Sequence, residues 1–173
     1  SHSMMVTYAK MAKRAGVEIQ INSGKTLTVS TYQAGKGKID KGAVVAIGKE
    51  ALMSNAGGQQ CVAIGYQALK GVDGNNHYDN TAIGYQTMRV LTTANSNCAY
   101  GYSSLLRITN GNYNCCFGKN SGDHVGTANY NCLFGAYAGR YFTSGGSNVC
   151  IGAYTATANT AHVNAMSNCI CIG

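Results

Sequence analysis

The chain has 173 residues and a formal net charge of +7, with 23 glycines, 12 tyrosines, 8 cysteines and neither proline nor tryptophan. Charged residues make up 11% of it and hydrophobic residues 45%, which excludes collagen, coiled coils and intrinsic disorder. No apolar stretch is long enough to span a bilayer, so we expect no membrane insertion.

Residues 1–43 form a segment without repeats. Ser1–Met4 reads as a cloning remnant, and residues 5–43 as an N-terminal segment that ends in a junction. Residues 8–15 are compatible with a short helix. Two runs of alternating apolar and polar residues flank Asn22-Ser23-Gly24-Lys25, which predicts a β-hairpin. The segment is basic, but its charges are scattered and its aromatic residues are few, so no nucleic-acid partner is predicted.

A repeat occupies residues 44–173. Each unit has a short apolar stretch that ends in glycine, and the glycines recur every 17 residues, except for one interval of 19 and one of 21. These glycines are Gly48, Gly65, Gly84, Gly101, Gly118, Gly135, Gly152 and Gly173. Asparagine stands four residues before five of them, at Asn80, Asn97, Asn114, Asn131 and Asn148. A unit this short cannot contain two helices and their turns, which excludes helical repeats.

The repeat predicts an all-β fold, a β-roll or β-solenoid of about eight short coils that stack about 4.8 Å apart. We expect the apolar pair before each glycine, such as Ala-Ile or Cys-Phe, to face the interior. The glycine then permits a turn, and the asparagine bonds a neighbouring backbone group at the corner. The two longer intervals predict enlarged connections at residues 70–80 and 155–168.

The cysteines all lie two to four residues before a repeat glycine. Other coils fill these positions mainly with small or apolar residues, so we expect free, buried thiols that pack as small hydrophobes. Interior disulfides are the alternative. No Cys-x-x-Cys and no paired Cys/His spacing occurs, so neither a metal nor another cofactor is predicted.

Two further positions share the period. Tyr66, Tyr85 and Tyr102 directly follow the glycine, which predicts a structural tyrosine ladder. Charged residues stand five positions after it, and we expect them to form a solvated stripe of mixed sign. These residues are Lys70, Arg89, Asp123 and Arg140.

No arrangement of residues predicts an enzyme. The carboxylates show no spacing typical of paired acid and base catalysis, and no nucleophile signature accompanies His77, His124 or His162, which we expect to be exposed in loops. The enlarged connections are the candidate binding sites, because surface loops carry recognition and because aromatic rings with planar polar groups suit sugars. The predicted ligand-binding residues are His77, Tyr78, Asp79, His162 and Asn164.

The units NTAIGYQTM, CVAIGYQAL and VVAIGKEAL resemble the head repeats of trimeric autotransporter adhesins. They are more similar still to repeats of bacteriophage and giant-virus tail fibres and of related trimeric adhesins. The resemblance covers residues 44–173 and implies a homotrimer, intertwined or side by side, in a virion tail fibre or in an extracellular or cell-surface fibre. It further implies other fibre segments at the N-terminus and attachment to a host or prey cell through a glycan or protein receptor.

Two alternatives to a receptor-binding segment stay open. A purely structural shaft or spacer needs regular coils and no ligand site, whereas a receptor-binding segment needs irregular surface features such as the enlarged connections. A tailspike enzyme that acts on polysaccharide is the weaker alternative, because the carboxylates form no evident pair.

Overall fold

The computed structural model describes residues 17–22, 26–31, 45–54, 59–72, 74, 76–158 and 165–173, with side chains from Val45 onward. These residues include ten strands and several turns, and none of them is helical. The predicted hairpin is confirmed, since β1 (Val17–Asn22) pairs antiparallel with β2 (Thr26–Thr31). The helix expected at residues 8–15 lies outside the described residues.

Eight three-residue strands form one parallel sheet in chain order. They are β3 (Val45–Ile47), β4 (Val62–Ile64), β5 (Thr81–Ile83), β6 (Cys98–Tyr100), β7 (Cys115–Phe117), β8 (Cys132–Phe134), β9 (Val149–Ile151) and β10 (Ile170–Ile172). The register sets each repeat position opposite its counterpart in the next coil, for example Ala63 opposite Ala82. The chain is therefore an all-β solenoid of about seven turns, as the repeat predicts.

Each three-residue strand points only its middle residue toward the interior of the solenoid. The middle residues of seven strands, from Ala46 in β3 to Cys150 in β9, are at most 2% exposed. Successive side chains of a strand point to opposite faces, so the expectation that both residues of the apolar pair face inward is wrong for the second one. Cys115 and Cys116 face opposite sides of β7, because Cys116 is buried and Cys115 is only half-buried.

The interior is one continuous cluster that runs along the solenoid. The middle residues of the strands are small except for Leu133, and the turns supply larger residues in two rows, four and seven positions after the repeat glycines. The two rows are Leu52, Leu69, Met88 and Leu105, and Leu91, Ile108, Val125 and Phe142. Strand and turn residues together fill the interior of the solenoid.

The repeat glycines permit a turn in which successive coils approach closely. Gly48 and its equivalents up to Gly152 have φ between +118° and +137°, a region that residues with a side chain rarely adopt. A Cβ atom on Gly118 would lie 2.5 Å from the carbonyl oxygen of Gly135 in the next coil. Hydrogen bonds between coils continue through the turn, where Gln86 N–H donates to Tyr66 O at 2.8 Å and Met88 N–H to Ser104 O at 3.1 Å.

The five repeat asparagines form a buried amide ladder. Asn97 is typical: its backbone N–H and its Nδ2 donate to Asn80 Oδ1 at 3.0 and 3.2 Å. Its Nδ2 also donates to Asn95 O at 3.0 Å and to Gly111 O at 2.9 Å. The predicted bond from asparagine to neighbouring backbone is confirmed, and the ladder satisfies buried polar groups that would otherwise be costly.

A cysteine ends the ladder on each side. Cys61 Sγ donates to Gln59 O at 3.3 Å and to His77 O at 3.5 Å, carbonyls equivalent to those that Asn97 uses. At the other end Cys169 N–H donates to Asn148 Oδ1 at 3.1 Å. Both cysteines stand four residues before a repeat glycine, so the sequence itself aligns them with the asparagines.

All eight cysteines are free thiols, but the expectation that they are buried holds only for Cys61, Cys116 and Cys150. Burial raises the pKa of Cys61 to about 11 and that of Cys116 well above its ordinary value, which makes both unreactive. The remaining five thiols are half-buried. Three of these lie in register on the outer face of the sheet, at Cys98, Cys115 and Cys132.

Candidate functional site

The first enlarged connection buries its histidine. His77 is 0% exposed, so the expectation of an exposed loop histidine is wrong here. It stands seven residues before a repeat glycine, where the following coils carry Ala94 and Gly111. Its ring packs against Gly71, on which a Cβ atom would lie 2.8 Å from His77 Nε2.

Both ring nitrogens of His77 lack a hydrogen-bond partner among the described residues. Burial, which disfavours the charged imidazolium, lowers its pKa from 6.5 to about 4. His77 is therefore a neutral core residue and offers no contact to a ligand at the surface.

The next two residues of this connection reach the surface. Tyr78 and Asp79 have exposed side chains. Their backbones are fixed, because Tyr78 N–H donates to Asn95 Oδ1 at 2.8 Å and Asp79 N–H donates to Gln59 O at 3.1 Å. Their ligand-binding role stays a prediction. His162 and Asn164 lie outside the described residues.

A second asparagine row, which the sequence reasoning missed, holds Tyr78 in place. Asn95 N–H donates to Asn112 Oδ1 at 2.7 Å, and Asn112 N–H donates to Asn129 Oδ1 at 2.7 Å. In this row the donor lies in the earlier coil and the acceptor in the following one. The hydrogen bonds of the buried ladder run in the reverse direction. The sequence does contain a signal for this row, because asparagine stands six residues before three successive repeat glycines.

The outer face of the eight-stranded sheet is a continuous apolar surface. It consists of the first and third residues of β3 to β10, which we call the apolar sheet face. None of these residues is charged, and Thr81 is the one that is not valine, isoleucine, cysteine, tyrosine or phenylalanine. Several are well exposed, among them Tyr100 at 53%, Ile151 at 48% and Ile172 at 78%.

Aromatic residues that share a repeat position stack between coils. The predicted ladder is confirmed, with Tyr66 and Tyr85 ring centroids 5.2 Å apart and Tyr85 and Tyr102 centroids 5.0 Å apart. Tyr113 and Tyr130 stack at 4.9 Å in a second, exposed column. These stacks follow from the parallel register, which sets equivalent side chains one above the other.

A surface pocket of about 400 Å³ lies at the turns that follow β8 and β9. Tyr137, Arg140, Tyr141, Tyr154 and Thr157 line it, and we call it the tyrosine–arginine pocket. The Tyr137 and Tyr154 rings stack with centroids 5.0 Å apart. The Arg140 guanidinium lies 5.4 Å from the Tyr137 centroid and 5.1 Å from the Tyr141 centroid, which is cation–π geometry.

A buried carboxylate holds this arginine. Asp123 is 3% exposed, and its Oδ2 lies 3.5 Å from Arg140 Nε and 3.2 Å from His124 Nδ1. The expectation of a solvated stripe is therefore wrong for Asp123. His124, which also contacts Arg107, is half-buried rather than exposed. Burial is the leading reason why its pKa is lowered, so His124 is neutral at pH 7.

The described part of the chain contains no cluster of three histidine, cysteine or acidic side chains that could hold a metal ion. It also contains no helix of the length and apolarity that crossing a membrane requires.

The fold and its ladders define a parallel β-solenoid repeat protein. No family model matches the chain, and neither the curated proteins nor the solved structures include a significant match. Functional conclusions therefore depend on the surfaces of the chain itself.

Proposed function

We propose that this solenoid is a segment of a homotrimeric, extracellular fibre that attaches to a cell surface by binding a glycan or protein receptor. The observation that carries the proposal is the apolar sheet face. A continuous exposed apolar surface without charge is typical of an interaction site, because leaving it in water forfeits the free energy of burying it.

The shape of this face favours copies of the same chain as its partners. Eight strands at about 4.8 Å make it about 34 Å long, and each coil presents the same kind of residue pair along that length. Three parallel solenoids around a threefold axis bury all three faces in equivalent contacts and close the assembly. The half-buried thiols of Cys98, Cys115 and Cys132 pack there as small apolar groups.

Exposed tyrosines away from the sheet face support the attachment role. Tyr102 and Tyr154 are 50% and 65% exposed, and tyrosine combines a large apolar ring with a polar tip, which makes it frequent in recognition surfaces. The regular hydrogen bonding of the coils from Thr81 to Ile151 favours the alternative, a spacer without a ligand of its own.

One pair of variants tests assembly and attachment together. Light scattering of the wild-type chain should give about 54 kDa, three times the 18.1 kDa of one chain. Phe117→Lys places a charge on the apolar sheet face and should give a monomer with an unchanged circular dichroism spectrum, because the side chain points away from the core. Labelled wild-type protein should bind at least one cell type of a bacterial and eukaryotic panel, and the monomeric variant should bind it at least tenfold more weakly because avidity is lost.

Tyr113→Lys is the matched control, because it adds the same charge to an exposed aromatic position outside the sheet face; it should stay trimeric. A monomeric wild-type chain would contradict the proposed assembly. A trimer that binds no cell of the panel would favour the spacer.

A further inference from the structure

We infer that the tyrosine–arginine pocket binds an acidic saccharide, a sugar that carries a carboxylate, sulfate or phosphate group. The inference rests on the proposed attachment function and names the ligand class for it. Its volume of about 400 Å³ lies within the range of small-ligand pockets, roughly 300–1,000 Å³.

Aromatic rings from two successive turns border the pocket. Tyr137 and Tyr141 follow β8, and Tyr154, which is 65% exposed, follows β9. The C–H face of a pyranose ring is apolar and slightly positive, so it packs favourably against the negative face of an aromatic ring. The pocket therefore offers a stacking surface for a sugar ring.

Arg140 supplies a charged group with a fixed orientation. Two aromatic rings and the Asp123 carboxylate hold its guanidinium in place, and the carboxylate is near Nε. Among the described residues, neither terminal nitrogen of Arg140 has a hydrogen-bond partner. Two parallel N–H groups on a planar guanidinium match the two oxygens of a carboxylate or sulfate.

The surrounding charges favour an anion over a neutral sugar. Lys119 Nζ lies 6.0 Å from the Tyr137 centroid, and Arg107 contacts His124 next to the pocket. Asp123 is the single carboxylate in this group, and His124 is neutral at pH 7. Three cations against one carboxylate leave an excess of two positive charges, which attracts anionic ligands.

The Tyr113–Tyr130 column provides an internal comparison. Its rings stack as closely as Tyr137 and Tyr154, and all four tyrosines have φ between +58° and +61°. The described residues place no cation over the Tyr113 or Tyr130 ring. Stacked tyrosines on the same backbone thus occur with and without a neighbouring arginine, so the arginine distinguishes the pocket.

Calorimetry with paired saccharides tests the inference. The probes are oligogalacturonic acid, sialyllactose and sulfated lactose, with oligogalactose and lactose as their uncharged counterparts. At least one acidic probe should bind at least tenfold more tightly than its counterpart. Tyr154→Ala should weaken that binding at least tenfold. Arg140→Lys should weaken the binding of the acidic probe and leave the binding of its uncharged counterpart unchanged.

Tyr130→Ala is the matched control, since it removes a stacked tyrosine of similar exposure, 61% against 65% for Tyr154, that does not line the pocket. It should bind like the wild type. Equal affinity for acidic and neutral probes, no binding of any acidic probe, or full binding by Tyr154→Ala overturns the inference. Cell attachment that persists in Tyr154→Ala contradicts the pocket but leaves the attachment proposal intact. Wild-type protein that binds no cell contradicts attachment itself, whatever the saccharides do.

Discussion

The regular coils from Thr81 to Ile151 and the enlarged coil of residues 62–80 place different groups at the same repeat positions. In the regular coils an asparagine amide links one coil to the next and donates to the carbonyl of a small residue, as Asn114 does to Ala128 at 2.8 Å. Next to the enlarged coil a thiol, Cys61, donates weakly to the carbonyl of a histidine, His77, at 3.5 Å. The small residue has been replaced by a buried ring whose nitrogens lack partners among the described residues.

The difference shows how a repeat protein satisfies buried polar groups. In the regular coils each amide finds an identical amide one period away, so one local solution extends along the chain. Where the period changes from 17 to 19 residues, the His77 ring replaces the small residue, and it has no equivalent ring in the next coil to bond with. Stability should therefore depend on hydrogen bonding in the regular coils and on the protonation state of His77 in the enlarged one.

The largest effect should come from removing the close approach of the regular coils. Gly118→Ala places a Cβ atom 2.5 Å from Gly135 O at φ +136°, and the obstacle is backbone, which cannot rotate away. We expect a loss of more than about 4 kcal/mol in the free energy of unfolding, or failure to fold, measured by urea denaturation.

Gly74→Ala in the enlarged connection is the control for the glycine variant. Its φ is +83°, but no atom of the described residues lies within 4 Å of the added Cβ atom, so only the backbone cost of about 1–2 kcal/mol remains. Equal losses at the two glycines would show that backbone conformation alone, and not the approach of the coils, sets the cost.

A smaller effect should follow from breaking the amide ladder at its centre. Asn114 Oδ1 accepts from Asn131 N–H and Nδ2 at 3.1 and 3.0 Å, and Asn114 Nδ2 donates to Ala128 O at 2.8 Å. Asn114→Ala leaves these buried groups without partners, so we expect a loss of about 3–4 kcal/mol in urea denaturation.

Asn112→Ala tests the same chemistry where water can reach it. Asn112 belongs to the second asparagine row and is half-buried, so solvent can replace the lost bonds and the loss should be about 1 kcal/mol. A loss as large as that of Asn114→Ala would show that burial is not what makes the ladder important.

The sequence predicts the regular coils well because identical residues at one spacing leave few arrangements open. The glycine turns, the asparagine ladder and the Tyr66–Tyr85–Tyr102 stack were all predictable from the period. The enlarged coil was not, because a single His77 without a counterpart gives no sign of whether its ring turns inward. The tyrosine–arginine pocket was also missed, since Arg140 and Tyr154 occupy different repeat positions and meet only when two turns are folded beside each other.

Control variants aside, the smallest effect is the pH dependence that the enlarged coil should add. Unfolded chains protonate His77 near pH 6.5, whereas the folded chain resists protonation down to about pH 4. Stability should thus be unaffected above pH 7 and should fall between pH 6.5 and pH 4, by up to about 3 kcal/mol.

The comparison is with His77→Phe, measured by urea denaturation at each pH; His124 is present in both proteins, so its contribution cancels. Glu50, whose pKa is lowered from 4.5 by hydrogen bonds from Lys70 and Gln67, is likewise common to both. If the two proteins lose stability in parallel over this range, the buried ring is not the source of the pH dependence. The enlarged coil then adds no pH sensitivity to the solenoid.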